Sequence, residues 1–306
     1  MAKEEEKGVC FFAYNNSQLD YIRFAHVAAG YVKANMKNNK TCLMTDNGGY
    51  AWLKESISSE WHEACFDHIV IDDVEHEQNS RKHFDSPWTE FSAPFLNSNK
   101  HEVFELTPFD KTMLIDTDYI IKNNFYDYIF DTDITISMHK TATYLEHQPP
   151  YLNEITLTDG GIHHWWSTVV YFDQSEESRV FFDTWCHVKE NWDYYALLYQ
   201  FPPALFRTDF CVSIAAHLLN GSNEESYIHD FMGIPMRNMD QKDDIIEIKG
   251  MNDWILLSHN RQEQWKNILT RNTDYNLHAM NKRAISRNIN EIEKNLQEVL
   301  LWVEGL

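Results

Sequence analysis

The segment running from Thr107 through Pro108 to Asp116, Thr117 and Asp118 constrains this chain most. Pro108 and the polar pair Asp110-Lys111 introduce a short apolar run, Thr112 to Ile115, which reads as a buried strand of an α/β sheet. Two carboxylates follow at the strand's carboxyl end, one residue apart. Open α/β sheets bind ligands just outside the carboxyl ends of their strands. An Asp-x-Asp turn there can present both side chains to one hard cation, with phosphate oxygens completing the shell. A second triplet, Asp131-Thr132-Asp133, precedes its strand (Ile134 to Met138), so its carboxylates belong to a solvated turn or strand entry. The candidate site is the first copy.

The surrounding pattern repeats the strand-then-polar theme. Gly8 to Tyr14 is apolar and ends in Asn15-Asn16-Ser17, a cluster suited to turns and helix N-caps. From Gln18 to Met36, Leu19, Ile22, Ala25, Ala29, Val32 and Met36 recur at three and four, an amphipathic helix. Lys40 to Thr45 and His68 to Ile71 read as two more strands, closing on Asp46-Asn47-Gly48-Gly49 and Asp72-Asp73. These signals predict an α/β fold with a mostly parallel central sheet flanked by helices and ligand groups gathered at one edge. Residues 76–100 read as a long irregular loop, functional or partly helical. Downstream, a strand is expected over Trp166 to Phe172, helices over Glu177 to Tyr195 and Thr208 to Leu219, and a strand over Trp254 to Ser258. In the tail, Ile285, Ile289, Ile292, Leu296, Val299 and Val303 alternate four and three apart. That stripe either docks a terminal helix on its own domain or offers a seam for a homo-oligomer. The expected organisation is a disordered 1–7, one domain over 8–270 (a nucleotide-binding half to about 140, an acceptor half beyond) and a helical extension over 271–306.

Composition narrows the partners. With Lys+Arg 26 against Asp+Glu 47, the net charge is −21, which repels nucleic acid and anionic membrane and demands a metal or well-placed cations for any nucleotide. The five cysteines are scattered with no Cys-x-x-Cys spacing, as in a reduced compartment. The N-terminus is charged without an apolar core, and no apolar run approaches the roughly 18 residues of a membrane span. A cytoplasmic, soluble protein without a membrane partner is the expectation.

On an ordered set of residues the chain resembles the nucleotide-sugar glycosyltransferases of the GT-A fold, with a glycogenin-like layout. Phe12-Ala13-Tyr14-Asn15 is similar to their first-strand end, and Asn99-Lys100 followed by Leu106 to Asp118 is similar to their basic residue, helix, strand and Asp-x-Asp. Ser167 to Phe172 falls at their acceptor-side strand, Arg207-Thr208-Asp209-Phe210 at an acidic residue opening a helix, and Ser258-His259 at a late histidine. The resemblance covers roughly residues 8 to 266. It departs from the family where Asn-x-Gly becomes Ser167-Thr168-Val169, and where Asn260-Arg261 and Trp265 replace the glycine and Lys-Pro-Trp after the histidine.

The resemblance implies a metal-dependent enzyme moving a sugar from a nucleoside diphosphate sugar, a UDP-sugar by preference, to a hydroxyl. Asp116 and Asp118, with His259 as third ligand, would hold Mn²⁺ or Mg²⁺. Lys100 and Arg261 would contact the diphosphate, and Tyr14, Asn15 and Asp46 the base or ribose. Trp165-Trp166 would wall a sugar face, and Asp209 would hold sugar hydroxyls or, in an inverting enzyme, act as base. A retaining course needs no such base, and the residues leave both open. The acceptor is open among saccharide, protein, lipid and, since phage-encoded proteins share this donor half, a hydroxylated nucleic-acid base. Two other classes remain: a phosphohydrolase or nucleotidyltransferase, and a non-catalytic nucleotide-sugar-binding or interaction protein on the same fold.

Overall fold

Strand β1 (Lys7–Phe12) shows how the core is built. Its run is continuously apolar, and successive side chains point to opposite faces of the sheet. Val9 and Phe11 pack into one cluster with helix α1 (Tyr21–Asn35), while Cys10 and Phe12 pack into a second cluster on the other face. A strand buried on both faces belongs to a mostly parallel sheet covered on both sides. That is the architecture of the computed structural model, which describes residues 5–37, 39–73, 80–145, 156–157, 161–202, 204–221, 227–259 and 266–303.

β2 (Lys40–Thr45) and β3 (His68–Ile71) are separated by helices α2 (Asn47–Ser56) and α3 (Ser59–Cys65). A hairpin, β4 (Ser80–Phe84) with β5 (Glu90–Pro94), comes next, then α4 (Val103–Leu106), β6 (Lys111–Ile115) and β7 (Tyr119–Ile120). β8 (Ile136–His139), β9 (Ala142–Tyr144), the pair β10 (Thr156–Leu157) and β11 (Ile162–His163), and β12 (Trp166–Asp173) follow. Helices α5 (Glu176–Glu190), α6 (Trp192–Leu198) and α7 (Thr208–Asn220) precede β13 (His229–Asp230) and β14 (Met236–Met239). An antiparallel trio, β15 (Asp244–Ile248), β16 (Asp253–His259) and β17 (Asn267–Thr273), leads to β18 (Leu277–Ala279) and the last helix, α8 (Lys282–Val303).

The central sheet has seven strands in the order β13-β8-β12-β6-β1-β2-β3. Every pairing in it is parallel save the two made by β12, which runs against its neighbours β6 and β8. The expected fold class, a mostly parallel α/β sheet with a C-terminal amphipathic helix, is therefore observed. β12 lies between β6 and β8, so both expected halves of the 8–270 domain contribute to one sheet.

The differences have physical reasons. Residues 80–94 form a hairpin instead of irregular loop, because its inner positions carry Arg81, Lys82 and His83, and no apolar alternation announces the strands. Gly48-Gly49 reads as a turn yet sits in the first turn of α2. Gly49 is required there because a side chain would collide with Thr45. The helix expected over 177–195 breaks at Asn191 into α5 and α6. The 271–306 segment begins as strand, and α8 starts only at Lys282. At the other end β1 already begins at Lys7, and Glu6 N–H donates to Asp110 Oδ2 at 2.9 Å.

The tail stripe is used within the chain. Ile285, Ile289, Ile292 and Leu296 are buried in the core that α1 shares, and Arg23 of α1 pairs with Glu293 of α8. A side chain on Gly30 of α1 would strike Leu296, so the two helices approach closely. The first four positions of the stripe are thus occupied within the chain. Leu296→Ala should cost about 2–5 kcal/mol in urea unfolding while leaving the gel-filtration volume unchanged. A change of oligomeric state in that variant would contradict intramolecular docking.

Candidate active site

At the carboxyl end of β6 the chain turns: Tyr119 N–H donates to the Asp116 carbonyl at 2.9 Å, and Asp116 N–H donates to the Thr168 carbonyl of β12 at 2.9 Å. The turn leads at once into β7, which pairs antiparallel with β18, Tyr119 opposite His278 and Leu277 opposite Ile120. Ala279 N–H donates to the Asp118 carbonyl at 2.8 Å. These short pairings bring a histidine from late in the sequence beside the Asp-x-Asp turn.

One donor atom each from Asp116, Asp118 and His278 lies within 4.8 Å of the others, a grouping that could hold a metal ion. His278 Nε2 stands 3.7 Å from Asp118 Oδ2. Its Nδ1 is 3.2 Å from Asn238 Oδ1 on the neighbouring β14. An amide oxygen only accepts, so Nδ1–H donates to it and the Nε2 lone pair faces the carboxylates, the orientation that outer partners give to metal-binding imidazoles. Two carboxylate oxygens and an imidazole nitrogen suit a Mn²⁺-type cation that takes its remaining ligands from phosphate or water. The residues fit the group.

Two lysines complete the electrostatics. Lys100, in the 3₁₀ turn Lys100–Glu102 and 5% exposed, pairs with Asp116; Lys282, the first residue of α8, pairs with Asp118. Asn281 caps α8 by accepting from Ala284 N–H at 3.0 Å, which fixes where Lys282 begins the helix. Burial alone would raise the Asp118 pKa, but Lys282 and His278 outweigh it and hold the carboxyl far below its ordinary value. At Asp116 burial dominates and, with the neighbouring Asp118 charge, raises the pKa despite Lys100. For Lys282, burial opposes the charge, and Asp118 restores it and pushes the pKa above the ordinary lysine value.

This group lines a cavity of about 380 Å³. Its lining also includes Asp209, whose Oδ1 accepts from Ser167 N–H at 2.9 Å and from Ser167 Oγ–H at 2.7 Å. Asp209 is therefore not the N-cap of α7: that position is Arg207, with no side-chain cap bond, and the carboxylate turns to β12 instead. Burial would raise its pKa, yet Arg207, His164 and the Ser167 bonds bring it down to about 2. Phe12, Tyr14 and Trp166 also line the cavity, with Trp166 stacked on His164 at 4.6 Å. Trp165 is buried in the second core.

Of the residues expected from the sequence, Asp116, Asp118, Lys100, Tyr14 and Asp209 come together at this cavity. His259 does not: it ends β16, its N–H donates to Asp243 Oδ1 at 2.9 Å, its ring meets Trp88 at 6.0 Å, and His278 occupies the place beside the carboxylates. Asn15 Oδ1 accepts from Ile22 N–H at 2.9 Å and Asp46 Oδ1 from Gly49 N–H at 2.6 Å, so both hold helix N-termini, and neither lines the cavity. Arg261 lies outside the described residues. Asp131 pairs with Lys7 at 2.7 Å on the surface, as expected for the second triplet. His278, Lys282 and Arg81 escaped sequence reasoning. The only signal was a histidine and a lysine four apart across a three-residue strand and a helix cap.

No protein-family model matches the sequence, and no curated protein matches it. Among solved structures, the chain is similar to the glycosyltransferase GlyE of Streptococcus pneumoniae TIGR4, at 11% identity and TM-score 0.42 over 74% of this chain and 45% of that one. It is also similar to the galactosyltransferase LgtC in complex with donor and acceptor sugar analogues, at 14% identity and TM-score 0.42 over 73% and 72% of the two chains. Mouse xyloside xylosyltransferase 1 matches at 12% identity and TM-score 0.44, over 74% and 84%. This chain thus spans less than half of GlyE. By name the three are a glycosyltransferase, a galactosyltransferase and a xylosyltransferase.

The geometry separates the two histidines. Mn²⁺ titrated calorimetrically should bind His278→Ala at least about 10-fold more weakly than wild type. His259→Ala should stay within about twofold of wild type. Equal losses in both variants would contradict the assignment of His278.

Proposed function

We propose that this chain is a metal-dependent glycosyltransferase that moves a sugar from a nucleoside diphosphate sugar, a UDP-sugar by preference, to a hydroxyl acceptor. The observation that carries the reading is the convergence of Asp116, Asp118 and His278 with Lys100 and Lys282 at the carboxyl end of β6, in a cavity that Asp209 also lines. The sequence resemblance supports it in order along the chain.

A divalent cation bound by Asp116, Asp118 and His278 would supply Lewis-acid neutralisation of the departing diphosphate. Lys100 and Lys282 hold fixed positive charge beside the same carboxylates, where the leaving group gathers negative charge. Tyr14 offers a ring to the nucleotide from the end of β1. Asp209 keeps Oδ1 on Ser167, and Oδ2, with no hydrogen bond among the described residues, is left to accept from a sugar hydroxyl. A carboxylate with its pKa near 2 is a weak base, which favours an orienting role over proton abstraction and suits a retaining course. Two further carboxylates for a second metal are not grouped here among the described residues, and a two-metal phosphohydrolase is the weaker reading.

Thermal-shift screening of UDP-, GDP- and ADP-sugars with and without Mn²⁺ tests this reading. One nucleotide should raise Tm only with Mn²⁺ present, by roughly the equivalent of 2.7 kcal/mol at about 100 times Kd, and Asp118→Ala should abolish the shift. No shift with any nucleotide would remove the donor site from the account. Asp209 gives a second outcome. Its depressed pKa keeps it charged at every pH above about 4, so any acid limb of kcat/KM between pH 5 and 7 should persist in Asp209→Asn while kcat falls about 10²-fold or more. Loss of that limb in the variant would make Asp209 the titrating base.

A further inference from the structure

Two guanidinium groups share the cavity wall near Asp209. Arg81, from the inner face of the β4–β5 hairpin, has its guanidinium carbon over the Phe95 ring at 3.3 Å from its centroid, and its Nη2 donates to the Phe206 carbonyl at 3.5 Å. Arg207, one residue beyond Phe206, is exposed to the cavity and stands 5.8 Å from the Phe210 ring. The other cations lining this cavity have carboxylate partners: Lys100 on Asp116, Lys282 on Asp118, and Lys82 on Glu90 at 2.6 Å. Neither arginine makes an ion pair among the described residues, and the nearby Asp209 gives its Oδ1 to Ser167. In a chain of net charge −21, carboxylates abound, yet these two like charges lie within electrostatic reach of each other, with Asp209 the carboxylate that acts on both. Burial and the charge of Arg207 push the Arg81 guanidinium down to about 10, so it remains charged at neutral pH at an energetic cost. A stacked guanidinium keeps its edge donors free, in the fork geometry that grips carboxylate or phosphate.

We infer that Arg81 and Arg207 bind an oxyanion, a carboxylate or a phosphate monoester, carried by the sugar that occupies the Asp209 end of the cavity. The substrate class is thus an acidic sugar, either as the group transferred or as the acceptor. This rests on the glycosyltransferase reading for the word sugar, and not for the anion. Lys100 and Lys282 already stand beside the metal-ligand set and would serve the diphosphate there.

Isothermal titration calorimetry with Mn²⁺ and UDP present decides it, using glucuronate, glucose 6-phosphate and glucose as free ligands. UDP-glucuronate against UDP-glucose, without added UDP, tests the transferred group. In at least one of the two series the acidic ligand should bind about 10-fold or more tighter than its neutral counterpart, and the series showing it identifies acceptor or donor. Arg207→Gln and Arg81→Gln should each erase that preference; if Arg81→Gln fails to fold, the exposed Arg207 decides alone. Equal binding of acidic and neutral ligands in both series, or a preference that survives substitution, overturns the inference. So does loss of UDP binding itself in these variants, which would make the arginines diphosphate ligands. Failure of wild type to bind UDP would count against the nucleotide-sugar reading instead, and the free sugars would still decide the anion site.

Discussion

The short pairing of β7 with β18 sets the whole site. It binds the residues directly after the Asp-x-Asp turn to a strand from the far end of the chain, and so places His278 and Lys282 against Asp118. A carboxylate that is 3% exposed would be costly to leave alone. Lys282 and His278 compensate its burial and keep it ionised. α8 then carries the stripe Ile285, Ile289, Ile292 and Leu296 into the core beside α1, which anchors the segment bearing Lys282. The tail that reads as an extension in the sequence is, in the fold, a part of the site.

The sheet was legible because its strands carry their own signal. Runs such as Val9 to Phe12 and Thr112 to Ile115 are apolar on both faces, and each ends in polar residues at the ligand edge. The Asp116-x-Asp118 pair stood out for a related reason, since it follows a strand with a clear end, whereas Lys100 and Asp209 were singled out by the family resemblance. His278 was not, because a three-residue strand has no periodicity to read and its partner β7 is 157 positions earlier by the Leu277–Ile120 pairing. His259 closes a well-marked strand, and the family resemblance alone drew the assignment to it. Asn15 and Asp46 show the converse ambiguity, since a polar residue at a strand's end serves equally as a ligand or as a helix cap: Asp46 caps α2, and Asn15 accepts from Ile22 N–H in the first turn of α1.

Charge completes the account. A chain at −21 would repel a nucleotide across most of its surface. The cavity reverses that locally by collecting Arg81, Lys82, Lys100, Arg207 and Lys282 around three aspartates. Among the described residues no helix is long and apolar enough to cross a membrane.

The central claim is that this cavity activates the bond between a sugar and a nucleoside diphosphate. Products formed from a UDP-sugar with Mn²⁺ and no acceptor, separated by anion exchange, test it most directly. The account predicts slow release of free sugar and UDP, as water takes the place of the acceptor hydroxyl. Release of UMP with sugar 1-phosphate would place the cleavage within the diphosphate and contradict the account.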